Sequence, residues 1–187
     1  MKDDDKQLST ELKDVADVLL QETATNALLL YDFSEGRFRR SDDEVELGHV
    51  YTAYPFDALR GFVLWKDEKV VDKKLKLFRD KVKITREELP EDEDWRPQVA
   101  LPLEDPETGE FLAFVSGSTG GKIAVERLIN ATARRVKAGR GDAMPRIKLG
   151  IGKFKSSQYG EKDRPDFAIV NEMKEIKAEF NDEIPGY

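Results

Sequence analysis

Apolar and polar positions along the chain change rhythm several times, and each change marks an element. Between Gln7 and Glu22, the residues Leu8, Leu12, Val15, Leu19 and Leu20 recur at three- and four-residue steps. That spacing predicts an amphipathic helix, with Ser9 or Thr10 as its cap. Ala27–Tyr31 reads as a short strand or the end of that helix, and Ser34-Glu35-Gly36 as a turn. Val50–Tyr54 and Gly61–Trp65 are rich in β-branched and aromatic residues, so both read as strands. Lys66–Lys69 reads as a tight turn into Val70-Val71, and Lys73–Pro90 as charged and irregular. Gln98–Leu103 and Glu110–Ser116 predict an antiparallel hairpin around a turn that contains Pro106 and Gly109. Gly121–Lys137 has helical periodicity, carried by Ile123, Val125, Leu128, Ile129 and Val136, and Gly139-Arg140-Gly141 predicts its end. Arg146–Phe154 and Pro165–Val170 read as two last strands joined by a polar loop, and Asn171–Tyr187 as a charged tail.

Charge adds what periodicity does not show. The 187 residues carry a net charge of −7, yet Lys122–Arg164 holds 12 Lys and Arg against 4 acids. A basic block inside an acidic chain is the footprint of a surface that meets a polyanion, or else a solvated helix face and hairpin. Alternation along Arg146–Lys155 puts Arg146, Lys148, Gly150, Gly152 and Phe154 on one side, and Ile147, Leu149, Ile151 and Lys153 on the other. The first side suits a strand over which phosphates and bases could lie, with Phe154 or Tyr159 stacking and the glycines allowing close approach. Phe62, Trp65, Phe111 and Phe114 are further stacking candidates.

Other chemistry is sparse. There is no cysteine, so no disulfide, zinc ribbon or thiol nucleophile is available. His49 is the single histidine, which excludes a His-rich metal site; a surface or structural role is expected for it. The clusters Asp3–Asp5 and Glu91–Asp94 lack the spacing of a calcium loop. The stretch Ser116-Gly117-Ser118-Thr119-Gly120-Gly121-Lys122-Ile123 invites comparison with a phosphate loop. However, Ser116 stands where that motif needs glycine, and Ile123 where it needs Ser or Thr. These glycines are better read as a strand-to-helix exit capped by Ser118 or Thr119, with Lys122 placed to touch a backbone phosphate. No catalytic constellation, cofactor or metal is expected, and the chain is expected not to be an enzyme. No apolar run approaches the ~20 residues of a bilayer span. The acidic start lacks the apolar core of a signal peptide. The cytoplasm is the expected compartment.

The order of strands, with a helix before the last two, fits a five-stranded antiparallel OB barrel whose helix lies between its third and fourth strands. This is an α+β, mainly β, expectation. It divides the chain into an N-terminal extension with a helix (1–44), an OB-like nucleic-acid-binding domain (45–170) and an acidic tail (171–187). The ending Asn181-Asp182-Glu183-Ile184-Pro185-Gly186-Tyr187 resembles the acidic tip of bacterial single-stranded DNA-binding proteins, although Gly186 is extra and Tyr187 replaces a terminal Phe. The segments Gly61–Asp67, Leu103–Glu110, Tyr159-Gly160 and Pro165–Phe167 look like a group of phage-encoded proteins, some thought to bind single-stranded DNA. The resemblance implies binding of single-stranded DNA without sequence readout, with RNA as an alternative ligand, in phage replication or recombination in the host cytoplasm. The expected contacts are Phe62, Trp65, Phe114, Lys122, Arg146, Lys148, Lys153, Phe154, Lys155, Tyr159, Lys162 and Arg164. Asp182, Glu183, Ile184, Pro185 and Tyr187 would recruit replication or recombination proteins. A monomer or homodimer is expected. The competing reading is a protein-interaction module, or an inhibitor of a host replication protein, acting through its acidic surface.

Overall fold

A computed structural model describes residues 28–156 and 160–170. Among these it shows ten strands and one α-helix, so the protein is mainly β. In chain order the elements are β1 (Leu28–Asp32), β2 (Arg37–Arg40), β3 (Asp43–Val45), β4 (Val50–Ala53), β5 (Leu59–Lys66), β6 (Lys69–Leu77), β7 (Trp95–Glu104), β8 (Phe111–Ser116), α1 (Thr119–Lys137), β9 (Arg146–Ser156) and β10 (Gly160–Ile169). The expected N-terminal helix and the tail fall outside the described residues.

The strands form one mixed sheet in the order β10-β9-β4-β7-β8-β1-β2-β3, with β5 branching from β7 and carrying β6. Strand β7 is the hub. One edge pairs with β8 from Val99 to Glu104. The other edge pairs with β5 along Trp95–Ala100 and then with β4 at Leu103 and Glu104. The expected hairpin of β7 and β8 is present, as is the turn after β5. There Asp67 and Glu68 both take positive φ, the geometry of a two-residue hairpin turn.

The expected closed five-stranded barrel is not what forms. The sheet is open, ending at β10 and β3. The free edge of β8 is taken in parallel by β1, at Leu28↔Ala113 and Leu29↔Phe114. Among the described residues the sheet thus already includes Leu28–Asp32, inside the segment read as an extension. Its distant strands still meet through side chains: Phe167 of β10 packs edge-on to Phe114 at 5.0 Å and tilts against Phe38 of β2 at 6.3 Å. Leu29, Tyr51, Leu101, Leu103, Leu112 and Ile147 complete this core, each at most 2% exposed. The region after Lys73 also differs from its expected irregularity. β6 continues to Leu77 because Leu75 and Leu77, half-buried, alternate with exposed Lys74 and Lys76. Long lysine stems leave an alternating strand intact while their charges reach water.

α1 begins two residues before its expected start. Ser118 caps it, its hydroxyl accepting from Gly121 N–H at 3.0 Å. Gly121 is needed here because a Cβ would collide with the Ser116 hydroxyl. Ala124, Val125, Leu128 and Thr132 face the core. The helix ends as the glycine predicted: Gly139 has φ +63°, its N–H reaches Val136 O, and Arg140 N–H reaches Arg135 O at 2.9 Å. That is the Schellman closure. No described helix is long and apolar enough to cross a membrane.

Candidate nucleic-acid interface

The sequence-expected contacts that fall within the described residues divide into three groups. Some lie on the expected face: Arg146, Lys148 and Lys162 are exposed on β9 and β10, whereas Lys155, also exposed, alternates to the opposite side of β9. Lys153 is exposed too, but its ammonium bonds Glu161 at 2.8 Å, and that carboxylate raises its pKa. Others are spent on structure. Phe114 is fully buried in the aromatic core and cannot stack a ligand. Arg164 is 3% exposed and donates from Nη1 to Pro165 O at 2.9 Å and to Asp166 Oδ1 at 2.7 Å. Its guanidinium lies over Gly152, where a Cβ would sit 2.9 Å from Cζ. The flat expected at that glycine is thus filled by the chain itself. The ring of Phe154 is half-buried against Gly120 at the start of α1. Trp65 is half-buried, and its ring is overlaid at 5.3 Å by Arg96, which Asp94 holds through three hydrogen bonds. Tyr159, Asp182, Glu183, Ile184, Pro185 and Tyr187 lie outside the described residues.

The third group is Phe62 and Lys122, which meet in a cleft the sequence reading did not assemble. The cleft has a volume of about 320 Å³ and lies between the β5–β6–β7 face and the Ser116–Lys122 turn. Pairing registers explain its lining. Lys76, Arg60, Val99 and Ser116 form one row across β6, β5, β7 and β8, and Lys74, Phe62 and Pro97 form the next. Lys83 and Lys122 enter from the flanking segments. Four cationic side chains, Arg60, Lys76, Lys83 and Lys122, therefore line a cleft that no acidic side chain among the described residues lines; Lys122 Nζ lies 3.9 Å from Glu126 Oε1 beside it.

Arg60 is held in place rather than free to swing. Its Nη2 donates to Asp80 O at 3.1 Å, and its guanidinium sits 5.2 Å from the Phe78 ring centroid. Its Nε is buried without a hydrogen-bond partner, a donor that a bound group could satisfy. Gly61 lies between Arg60 and Phe62, and a Cβ there would strike the Lys74 carbonyl, so β5 and β6 close tightly beneath the cleft. Phe62 is half-buried, with ring surface left for a ligand. Cations beside an aromatic ring fit an anionic ligand with π-faces. The signal for the missed residues was the alternation of Lys74 and Lys76 with Leu75 and Leu77, which was masked by the charge of the whole stretch.

His49 is bound into a structural site. Its Nε2 lies 3.3 Å from Asp105 Oδ2, and its ring packs 4.6 Å from Tyr51. Asp105 also accepts from the N–H groups of Glu107 at 2.9 Å and Thr108 at 3.4 Å, fixing the turn between β7 and β8. Burial pushes the Asp105 carboxyl pKa up, but these N–H groups and His49 outweigh it and leave the pKa below the usual value. A depressed carboxylate pKa contributes stability that is present above the unfolded value of about 3.9 and lost as pH falls through the folded one. Asp105→Ala is expected to cost about 1–3 kcal/mol at neutral pH. In urea titrations across pH, the variant should lose less stability on acidification than the parent, and parallel curves would contradict the assignment.

No protein family, curated protein or solved structure matches this chain.

Proposed function

We propose that the protein binds single-stranded nucleic acid without reading its sequence, and that it acts by binding rather than by catalysis. The observation that supports this is the cleft: four cations with Phe62 and, among the described residues, no acid in its lining, Glu126 reaching Lys122 only from outside it at 3.9 Å. Lys and Arg would hold successive phosphates, and Phe62 would stack one base, a contact every base can make. A hollow of about 320 Å³ accommodates a group of nucleotide size and is too small for a duplex. The exposed cations of β9 and β10 would add weaker, peripheral attraction. DNA is the favoured ligand through the resemblance of the tail and the central segments to single-stranded DNA-binding proteins. The same resemblance supplies the proposed setting, phage replication or recombination, with the tail recruiting partner proteins.

The test is fluorescence polarisation of a labelled oligothymidine at several salt concentrations, with duplex DNA as competitor. Neutralising about four phosphates predicts a log–log salt slope of about −3, or about a 50-fold loss of affinity between 50 and 200 mM salt. Duplex should compete poorly. Absence of binding at low salt would overturn the reading and favour a module acting through its acidic surface.

A further inference from the structure

Two contiguous hollows of about 630 and 460 Å³ run between α1 and the edge strand β10. They share Ala131, Arg134 and Phe167. The groove exists because one stripe of α1 and its C-cap, at Ala131, Arg134 and Ala138, alternates alanine with arginine, so small residues leave room above β10. Leu128, Phe167 and Ile169 add to the apolar floor. Arg127, Arg134, Lys137 and Arg140 line the rim. The single acid among the lining residues, Asp166, is already bonded to Arg164 at 2.7 Å. A groove with this floor and rim fits an acidic segment that carries apolar side chains. Carboxylates would pair with the arginines, and apolar groups would cover the alanines. A nucleic-acid strand would use the rim and leave the floor empty, since among the described residues no exposed aromatic ring lines the groove for stacking.

The chain supplies such a segment, and we propose that its own residues 171–187 dock in this groove. They hold five acids against two lysines, with Ile176, Phe180, Ile184 and Tyr187 as apolar groups. They begin directly after Val170, whose N–H bonds Arg146 O at 2.9 Å beside the groove residue Ile169. From Arg127 to its end at Lys137 the helix spans about 15 Å. The 14 residues from Val170 to Ile184 reach up to about 46 Å when extended, enough to run its length. No residue of the cleft around Arg60 takes part, so this inference stands apart from the nucleic-acid reading.

The absence of native cysteine makes the test direct. Full-length protein carrying Ala131→Cys with Ile184→Cys is oxidised mildly, and the disulfide is located by peptide mass spectrometry. Lys76→Cys with Ile184→Cys serves as the comparison. The groove pair is expected to close within one chain at least tenfold faster than the comparison pair. Adding Arg127→Glu and Arg134→Glu should remove that advantage, as should molar salt. Equal or faster closure at position 76, disulfides only between chains, or indifference to the charge reversals would each overturn the proposal. If Ala131→Cys lowers the melting temperature, Ala138→Cys at the end of the groove takes its place with the same expectations.

Discussion

Lys76→Glu combined with Lys83→Glu is expected to weaken oligothymidine binding by about a hundredfold near 0.1 M salt. Each phosphate neutralised on a single strand contributes about 0.7 to the salt slope, or about fivefold in affinity at that salt. Losing two contacts costs about 25-fold, and the introduced carboxylates add repulsion beside Arg60 and Lys122. The log–log slope should shrink by about 1.4. Neither lysine is buried, since both are exposed, so the melting temperature should stay within a few degrees. The informative comparison is Arg146→Glu with Lys148→Glu on β9. These residues carry the face that the sequence alone favoured, and the double change there is expected to cost less than about fivefold. Equal losses at the two places would show that the cleft is not the principal contact and that binding is spread over the whole basic surface.

The second large effect separates two phenylalanines that look alike in the sequence. Phe114→Ala empties the centre of the aromatic cluster, where Phe38 and Phe167 both rest against the ring. A fully buried Phe cut to Ala costs about 3–5 kcal/mol through lost burial and a remaining cavity. For a chain of this size that is roughly 10 °C or more in melting temperature. Binding by the folded fraction should be unchanged. Phe62→Ala should do the opposite, with little change in melting and a loss of about 1–3 kcal/mol in binding, the scale of one stacked base. Thermal unfolding and polarisation on both variants read this out. A binding loss in Phe114→Ala at temperatures where it is fully folded would contradict the placement.

These contrasts show where the sequence was informative. Elements with a dominant period were legible: the β7–β8 hairpin, the helix with its glycine stop, and β9 as far as Ile147 and Leu149, which turn inward, whereas Ile151, expected beside them, is exposed. Closure of the sheet was not legible, because it depends on which strand takes the edge of β8. Nothing in Leu28–Asp32 announces a parallel partner more than 80 residues away. The site was partly legible. Phe62 and Lys122 were chosen singly, but Arg60 and Lys76 join them only through the pairing of β5 with β6 and β7, and Lys83 from the segment that follows β6. Arg164 misled for a related reason. A charge in a basic block reads as surface, and only the register opposite Gly152 shows the space into which its guanidinium folds.

The hub position of β7 has a consequence for how the molecule comes together and comes apart. Three strands depend on this one ladder, and they come from either side of it in the chain: β4 and β5 before it, β8 after it. The β7–β8 hairpin closes over a short loop, so it is the least costly pairing to form early; β1 then has to be gathered from far away. Folding should therefore be slow for a protein of this length, with the hairpin ordered first and the β9–β10 arm docking late. In native-state amide exchange, Leu101 and Leu103 should open only with the whole protein, while amides of β3 and β6, each held by a single neighbour among the described strands, should exchange through small local openings. The cleft is built where these two regimes meet. One wall, from β7, should then be among the most persistent parts of the molecule, and the other, from β6, should open and close around it.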